Sequence, residues 1–180
     1  MPKIIKKENR EKIMELIRKG ASEEYETSWD EKGTPYKHKK KTEIKKGKKA
    51  RAGGARFELR VRDDLESQGW IVDKWTNNLD EVSKKIIKAK RKYNPFNKML
   101  IVGTGFPDFI AFKPSGKNYE IIGVEVKTNG TLSKIEKEKC VIYLNKNIFG
   151  KILIAKKGEK RGKIVYEDFM KKYGKKYNNP

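Results

Sequence analysis

The clearest hydrophobic periodicity in the chain begins about a third of the way along it and predicts a helix. Phe57, Val61 and Leu65 recur at intervals of four residues, so they fall on one helical face. Gly69 is positioned to cap the C-terminal end of a helix spanning about Ala55 to Gln68. We therefore take residue 53 as the start of the main folded domain.

Five apolar runs of strand length follow this helix. They are Trp70–Trp75, Phe106–Phe112, Tyr119–Thr128, Lys151–Ala155 and Lys163–Tyr166. Turn-forming residues at 114–118 separate the second run from the third, which predicts an antiparallel hairpin. Ser133 and Glu136 form an S-x-x-E capping box, which predicts a helix between the third and fourth runs. The order α-β-β-β-α-β-β indicates an α/β protein.

The N-terminal part of the chain has fewer apolar positions and is predicted to be a separate region. Residues 8–19 show near-helical apolar spacing that ends at Gly20. Residues 21–52 are polar and then strongly basic, which predicts a linker, or an arm that becomes ordered on nucleic acid. A disordered tail without a role is the alternative. The predicted division is 1–52 for the helix and arm, 53–170 for the main domain and 171–180 for a basic tail.

The stretch from residue 76 to 104 fits the pattern of the main domain poorly. We interpret it as an insertion after the first strand, with a short helix near Asp80–Lys90 and a turn at Tyr93–Asn97. Seven of the residues from Lys84 to Lys98 are basic and none is acidic. The aromatic side chain of Tyr93 within this run is a candidate for stacking on a nucleic-acid base.

The charge balance predicts a polyanionic partner. Lys and Arg total 45 and Asp and Glu total 24, which gives a formal net charge of +21. Basic clusters of this kind release counterions from a phosphate backbone, so affinity should fall steeply with salt. A lysine-rich surface that only solvates the protein is the alternative. The predicted DNA-binding residues are Lys39, Lys40, Lys41, Lys45, Lys46, Lys48, Lys49, Arg51, Arg56, Lys90, Arg91, Lys92 and Tyr93.

Several classes of function are excluded by what the chain contains. A single cysteine, Cys140, and a single histidine, His38, exclude a disulfide framework and make a His/Cys zinc site untenable. No apolar run approaches 18 residues, so we expect no membrane span. The first residues lack the apolar stretch of a signal peptide, and we expect a cytoplasmic protein.

Two predicted strands carry the residues with candidate chemistry. Glu125 and Lys127 lie two positions apart, so they point to one face of a strand otherwise rich in Ile and Val. Asp108 begins the neighbouring strand of the predicted hairpin and lies near Glu125 if the register is right. Carboxylates that converge without a histidine suit Mg²⁺ or Mn²⁺. The Val126 carbonyl and Glu58, directly or through water, are the further candidate ligands, and Lys127 would stand beside the metal-bound water.

Each of these residues taken alone has an ordinary explanation. Glu and Lys are abundant in this chain, and Pro-Asp is common where strands begin. The combination of Pro107-Asp108, sixteen intervening residues and Glu125-Val126-Lys127 resembles the PD-(D/E)XK nuclease superfamily. Within it, the chain is most similar to archaeal Holliday-junction resolvases and related archaeal endonucleases, over about residues 53–166.

This resemblance implies a fold and an activity. The fold would be a restriction-endonuclease-like core, α-β-β-β-α-β, with a mixed central sheet flanked by helices. Asp108 and Glu125 would bind Mg²⁺ or Mn²⁺, Lys127 would be catalytic and Glu58 would complete the site. The enzyme would hydrolyse DNA phosphodiester bonds, leave a 5′-phosphate and act on branched DNA such as a Holliday junction, as a homodimer.

Two features depart from the resolvases, which lack an insertion like 76–104 and a basic arm as long as 37–52. We therefore keep other functions open. One is a non-catalytic nucleic-acid-binding protein on a nuclease scaffold. Another is a nickase of the restriction or repair type. RNA processing by a histidine-based mechanism is disfavoured, because the single histidine lies in the arm.

Overall fold

The chain forms two compact units, Met1–Ala55 and Arg56–Pro180. A computed structural model describes residues 7–33, 35–80, 82–89, 91–94, 99–102 and 105–177. The sequence predicted a division after residue 52, close to the boundary between the units. One long helix, α2 (Lys41–Ser67), has residues in both of them.

The first unit contains regular structure where the sequence predicted a linker. Helix α1 spans Lys7–Ala21, as the apolar spacing indicated. Strands β1 (Tyr25–Trp29) and β2 (Pro35–Lys40) then form an antiparallel hairpin, and α2 begins immediately after it. The expectation of a linker over residues 21–52 is therefore wrong. It gave most weight to the lysine run and missed the strand-forming residues Tyr25, Thr27 and Trp29.

The described residues of the insertion in the second unit include two short pairs of antiparallel strands. Strand β3 (Ile71–Lys74) precedes it, and β4 (Asn77–Leu79) pairs antiparallel with β5 (Ile86–Lys88). Strands β6 (Arg91–Asn94) and β7 (Met99–Val102) form a second antiparallel pair. The predicted helix near Asp80–Lys90 is thus wrong, because the two adjacent β-branched residues Ile86 and Ile87 form a strand instead. Of the predicted turn at Tyr93–Asn97, residues 93 and 94 belong to β6 and the rest lies outside the described residues.

A mixed five-stranded sheet forms the centre of the second unit. After the insertion come β8 (Phe109–Ser115), β9 (Asn118–Val126), helix α3 (Lys134–Asn145), β10 (Lys151–Lys157), β11 (Ile164–Asp168) and α4 (Phe169–Tyr173), and a 3₁₀ turn follows at Gly174–Lys176. The strand order is β11-β10-β9-β8-β3. The β9–β10 pair is parallel and the other neighbours are antiparallel. The predicted element order and the α/β class are confirmed.

One apolar core lies between this sheet and α2. Phe57, Val61 and Leu65, the three residues that predicted the helix, are all buried. They pack in one cluster with Phe109 of β8 and Val124 of β9. Side chains alternate across a strand, so this face of β9 carries its even-numbered residues.

The other face of the sheet packs on α3 and α4. Its buried cluster includes Cys140 and Tyr143 of α3, Ile154 of β10 and Phe169 of α4. Cys140 is fully buried, as is common for a free cysteine, which packs as a small apolar residue. Helices on both faces of a sheet make the α/β architecture a three-layer one. In the described part of the chain, no helix is both long and apolar enough to cross a membrane.

Candidate active site

Two of the predicted acids meet at one end of the central sheet. Asp108 immediately precedes β8, and Glu125 is the second-last residue of β9. The hairpin register pairs Phe109 with Val124, which brings the two acids side by side. The Asp108 backbone N–H donates to Glu125 Oε2 at 3.2 Å, and the Val126 N–H donates to Asp108 Oδ2 at 2.9 Å. The spatial pairing that the sequence predicted is thus confirmed.

Glu125 is a buried carboxylate on an otherwise apolar face. It is 3% exposed, and it points to the α3 side of the sheet because it is an odd-numbered residue of β9. Burial and the negative charge of Asp108 raise the pKa of Glu125 to about 8. Burial also raises the pKa of Asp108, while the Val126 N–H acts in the opposite direction. A cation placed beside the two acids would lower both pKa values and favour their ionised forms.

Lys127 supplies one positive charge to these acids. Its Nζ lies 3.0 Å from Glu125 Oε1 and 2.7 Å from Glu136 Oε1. Burial alone would lower the pKa of Lys127, but the hydrogen bonds to Glu136 and Glu125 outweigh it and raise the pKa overall. Lys127 is therefore held as a hydrogen-bond donor and a fixed positive charge, which favours electrostatic stabilisation over proton abstraction.

Glu136 is the residue of this cluster that sequence reasoning missed. The sequence assigned it to the capping box of α3, and that assignment is confirmed. Its Oε2 accepts from the Ser133 N–H at 2.7 Å, while its other oxygen binds Lys127. The available signal was the closeness of the capping box to the Glu-x-Lys strand end, which brings the first turn of α3 near Lys127.

Glu58 lies at the rim of the site. Its Oε2 lies 3.7 Å from Nζ of Lys74, a residue of β3. Its negative charge contributes to the raised pKa of Asp108. Within the described ranges, no group of three or more His, Cys, Asp or Glu side chains is arranged to hold a metal ion. Asp108 and Glu125 are brought together, whereas Glu58 is near them and held by Lys74.

The backbone of Val126 is oriented towards Asp108. Successive residues of a strand direct their N–H and C=O groups to alternate sides. The Lys127 N–H donates to the Ala155 carbonyl of β10 at 2.9 Å, while the Val126 N–H points the other way, to Asp108. Because both polar groups of a strand residue point to the same side, the Val126 carbonyl also faces the Asp108 side. It is well oriented to be the predicted backbone ligand.

The predicted DNA-binding residues are distributed over both units. The basic residues predicted between Lys39 and Arg51 lie on β2 and α2 of the first unit, and all are exposed. Arg56 is an exposed residue of the second unit. Arg91, Lys92 and Tyr93 belong to β6, and Lys90 lies outside the described residues.

The site thus combines a buried acid and a half-buried acid with a backbone carbonyl that faces them and a lysine held by two acidic side chains, all at one end of the sheet. We compared the chain with protein-family models, with curated proteins and with solved structures. None of the three comparisons gives a match.

Proposed function

We propose that this chain is a metal-dependent endonuclease that hydrolyses DNA phosphodiester bonds. The observation that carries the proposal is the contact between half-buried Asp108 and buried Glu125, with Lys127 at 3.0 Å from Glu125. Two acids this close to each other are costly to ionise unless a cation joins them. The strongly basic composition, with a net charge of +21, supports a polyanionic substrate.

The donor set fits a hard divalent cation. The ligands would be carboxylate oxygens of Asp108 and Glu125 and the Val126 carbonyl, with Glu58 directly or through a water molecule. Mg²⁺ keeps several waters and takes only one or two protein carboxylates, so a third buried acid is not required. A bound Mg²⁺ or Mn²⁺ would supply Lewis-acid polarisation of the phosphodiester and activation of a water molecule.

The remaining residues of the site would bind and orient the substrate. Lys127, held protonated by Glu125 and Glu136, would stabilise negative charge that develops on the phosphate. Cys140 and the apolar cluster under Glu125 limit the access of bulk water from the α3 side. Where water is excluded, the local dielectric constant is lower, so the electrostatic interactions of Glu125 and Lys127 are stronger.

The order of helices and strands supports a more specific form of this proposal. With β4–β7 set aside, the elements α2, β3, β8, β9, α3 and β10 follow the α-β-β-β-α-β order of a restriction-endonuclease-like core. We propose that the protein has this core and acts on branched DNA, including Holliday junctions. Resolution needs two symmetric incisions, so the proposal includes a two-fold homodimer on the junction.

The test is a cleavage assay on labelled four-way junction, flap, single-stranded and linear duplex DNA. Each substrate is incubated with Mg²⁺, Mn²⁺ or EDTA, and the mass of the protein on the junction is measured in parallel. Cutting that requires the metal and favours the junction supports the proposal. Tight, salt-sensitive binding without any turnover would contradict it and favour a non-catalytic binding protein.

We predict that Glu136 positions Lys127, and two substitutions separate this role from helix capping. Glu136→Gln retains an oxygen for the Ser133 N–H but turns an amide donor towards Lys127, so the turnover number should fall about 10- to 100-fold. Its stability and its DNA affinity should change little. Ser133→Ala should instead lower the free energy of unfolding by about 1 kcal/mol.

The control keeps the Lys127–Glu136 contact, so Ser133→Ala should cleave at the wild-type rate. Thermal unfolding and single-turnover cleavage of both variants measure the two effects. Equal losses of activity in the two variants would mean that Glu136 acts only through the helix.

A further inference from the structure

A basic surface that lies outside the predicted DNA-binding residues is found beside the candidate active site, at the turn between β10 and β11. It is a groove of about 320 Å³ that includes residues from both strands and the turn between them. We name it the β10–β11 groove. Its lining residues are Lys156, Lys157, Gly158, Glu159, Lys160, Lys163 and Val165.

The groove begins directly alongside the segment that carries Lys127. Strand β10 runs parallel to β9, and the Lys127 N–H donates to the Ala155 carbonyl at 2.9 Å. The Lys157 N–H in turn approaches the Thr128 carbonyl at 3.4 Å. Adjacent strands lie about 4.8 Å apart, so the groove begins one strand away from the segment that carries Lys127.

Helix α2 adds a further cation at the same place. The Arg60 guanidinium donates to the Gly162 carbonyl in the β10–β11 turn. Arg60 and Lys157 both lie over the Phe57 ring, at 6.0 and 5.8 Å from its centroid. The ring fixes the two cations from different elements at one edge of the groove.

The positive charge of the groove is only partly neutralised. Lys156 pairs with Glu167 at 2.5 Å. Among the residues that the structure describes, no carboxylate lies within ion-pair distance of Lys157, Lys160 or Lys163. Glu159 is the one acidic residue among the lining residues. A polyanion is the partner that such a row of lysines fits.

We propose that the β10–β11 groove binds the sugar-phosphate backbone of DNA next to the phosphate that is cut. The proposal rests on the proposed function, and it specifies the side of the active site from which the substrate strand approaches. Lysine ammonium groups contact phosphates without reading bases, so the groove would add affinity and register but no sequence preference.

The experiment compares two double variants with equal charge changes. Lys160→Gln/Lys163→Gln removes two cations of the groove. The control, Lys117→Gln/Lys151→Gln, removes two exposed lysines near the other end of the strands, at the β8–β9 turn and the start of β10. Binding of a labelled DNA duplex is measured by fluorescence anisotropy in EDTA over a range of salt, so that the readout does not require cleavage.

The groove variant should bind about tenfold more weakly, and its slope of log affinity against log salt should fall by about one for each lost phosphate contact. The control should keep the wild-type slope. Equal slopes in the two variants would overturn the proposal. If no metal supports cleavage but the groove variant still loses slope, the proposed function fails while the groove remains a DNA-backbone site.

Discussion

Asp108→Asn and Glu125→Gln are each expected to reduce metal-dependent DNA cleavage by about 10²–10³-fold. Each substitution removes one of the two carboxylates that meet at the sheet end, where the Asp108 N–H lies 3.2 Å from Glu125 Oε2. Neither should unfold the protein. The amide introduced at position 108 retains an oxygen that can accept from the Val126 N–H, and Glu125→Gln replaces a buried acid by a neutral amide of nearly the same size. Cleavage rates with saturating DNA measure the loss.

A binding readout separates loss of the metal from loss of chemistry. A ligand at about 100 times its Kd stabilises the folded state by about 2.7 kcal/mol, so Mg²⁺ or Mn²⁺ should raise the Tm of the wild-type protein. That increase should disappear in Asp108→Asn. Asp63→Asn, an exposed acid on α2, is the matched control and should retain both the Tm increase and cleavage.

Lys127→Ala should cleave far more slowly while it binds DNA normally, because Lys127 contributes charge at the reacting phosphate rather than affinity. If Asp108→Asn and Glu125→Gln both cleaved at the wild-type rate, these acids would not be the catalytic site.

The second large effect is the loss of stability that we expect from Gly105→Ala. A Cβ at Gly105 would lie 2.0 Å from the Trp75 carbonyl oxygen and 2.6 Å from that of Asn77, and both neighbours are backbone atoms. The Phe106 N–H donates to the Asn77 carbonyl at 3.0 Å, so the two segments cannot separate without losing a hydrogen bond. We expect the free energy of unfolding to fall by about 3 kcal/mol, the upper end for overpacking.

Substitution of alanine for Gly54 should instead raise the free energy of unfolding. Gly54 lies within α2 and has no atom within 4 Å of an added Cβ. Alanine there should stabilise the helix by about 0.5–1 kcal/mol. Chemical denaturation followed by circular dichroism measures both changes. If Gly105→Ala left the free energy of unfolding unchanged, the backbone at Trp75 would move away from the added Cβ more easily than the 2.0 Å distance indicates.

Gly105→Ala should also affect the candidate site. The Trp75 N–H donates to the Asp108 carbonyl at 3.2 Å, so the backbone that crowds Gly105 also holds Asp108. We therefore expect cleavage to fall in the folded fraction of this variant. The sequence contains no sign of this contact, since a glycine before Phe106 and Pro107 is typical of an ordinary turn.

Much of the second unit was predictable because its signals are local. The four-residue spacing of Phe57, Val61 and Leu65 needs only helical geometry to place them on one face. Ser133 and Glu136 cap α3 within a single turn. The tight turn at Gly116 joins β8 and β9, and hairpin geometry then brings Asp108 to Glu125. The first unit was mispredicted where a run of lysines concealed the alternation of a strand.

The α/β element order and the contact between Asp108 and Glu125 could be predicted from the sequence, because they depend on patterns within single helices, strands and one hairpin. Contacts made through non-local pairing became visible only in the folded chain. The tertiary structure brought Glu136 to Lys127 and held Glu58 at Lys74, and it set the β10–β11 groove beside Lys127 through the parallel β9–β10 pair. A crossover helix sets that register, and no short spacing in the sequence encodes it.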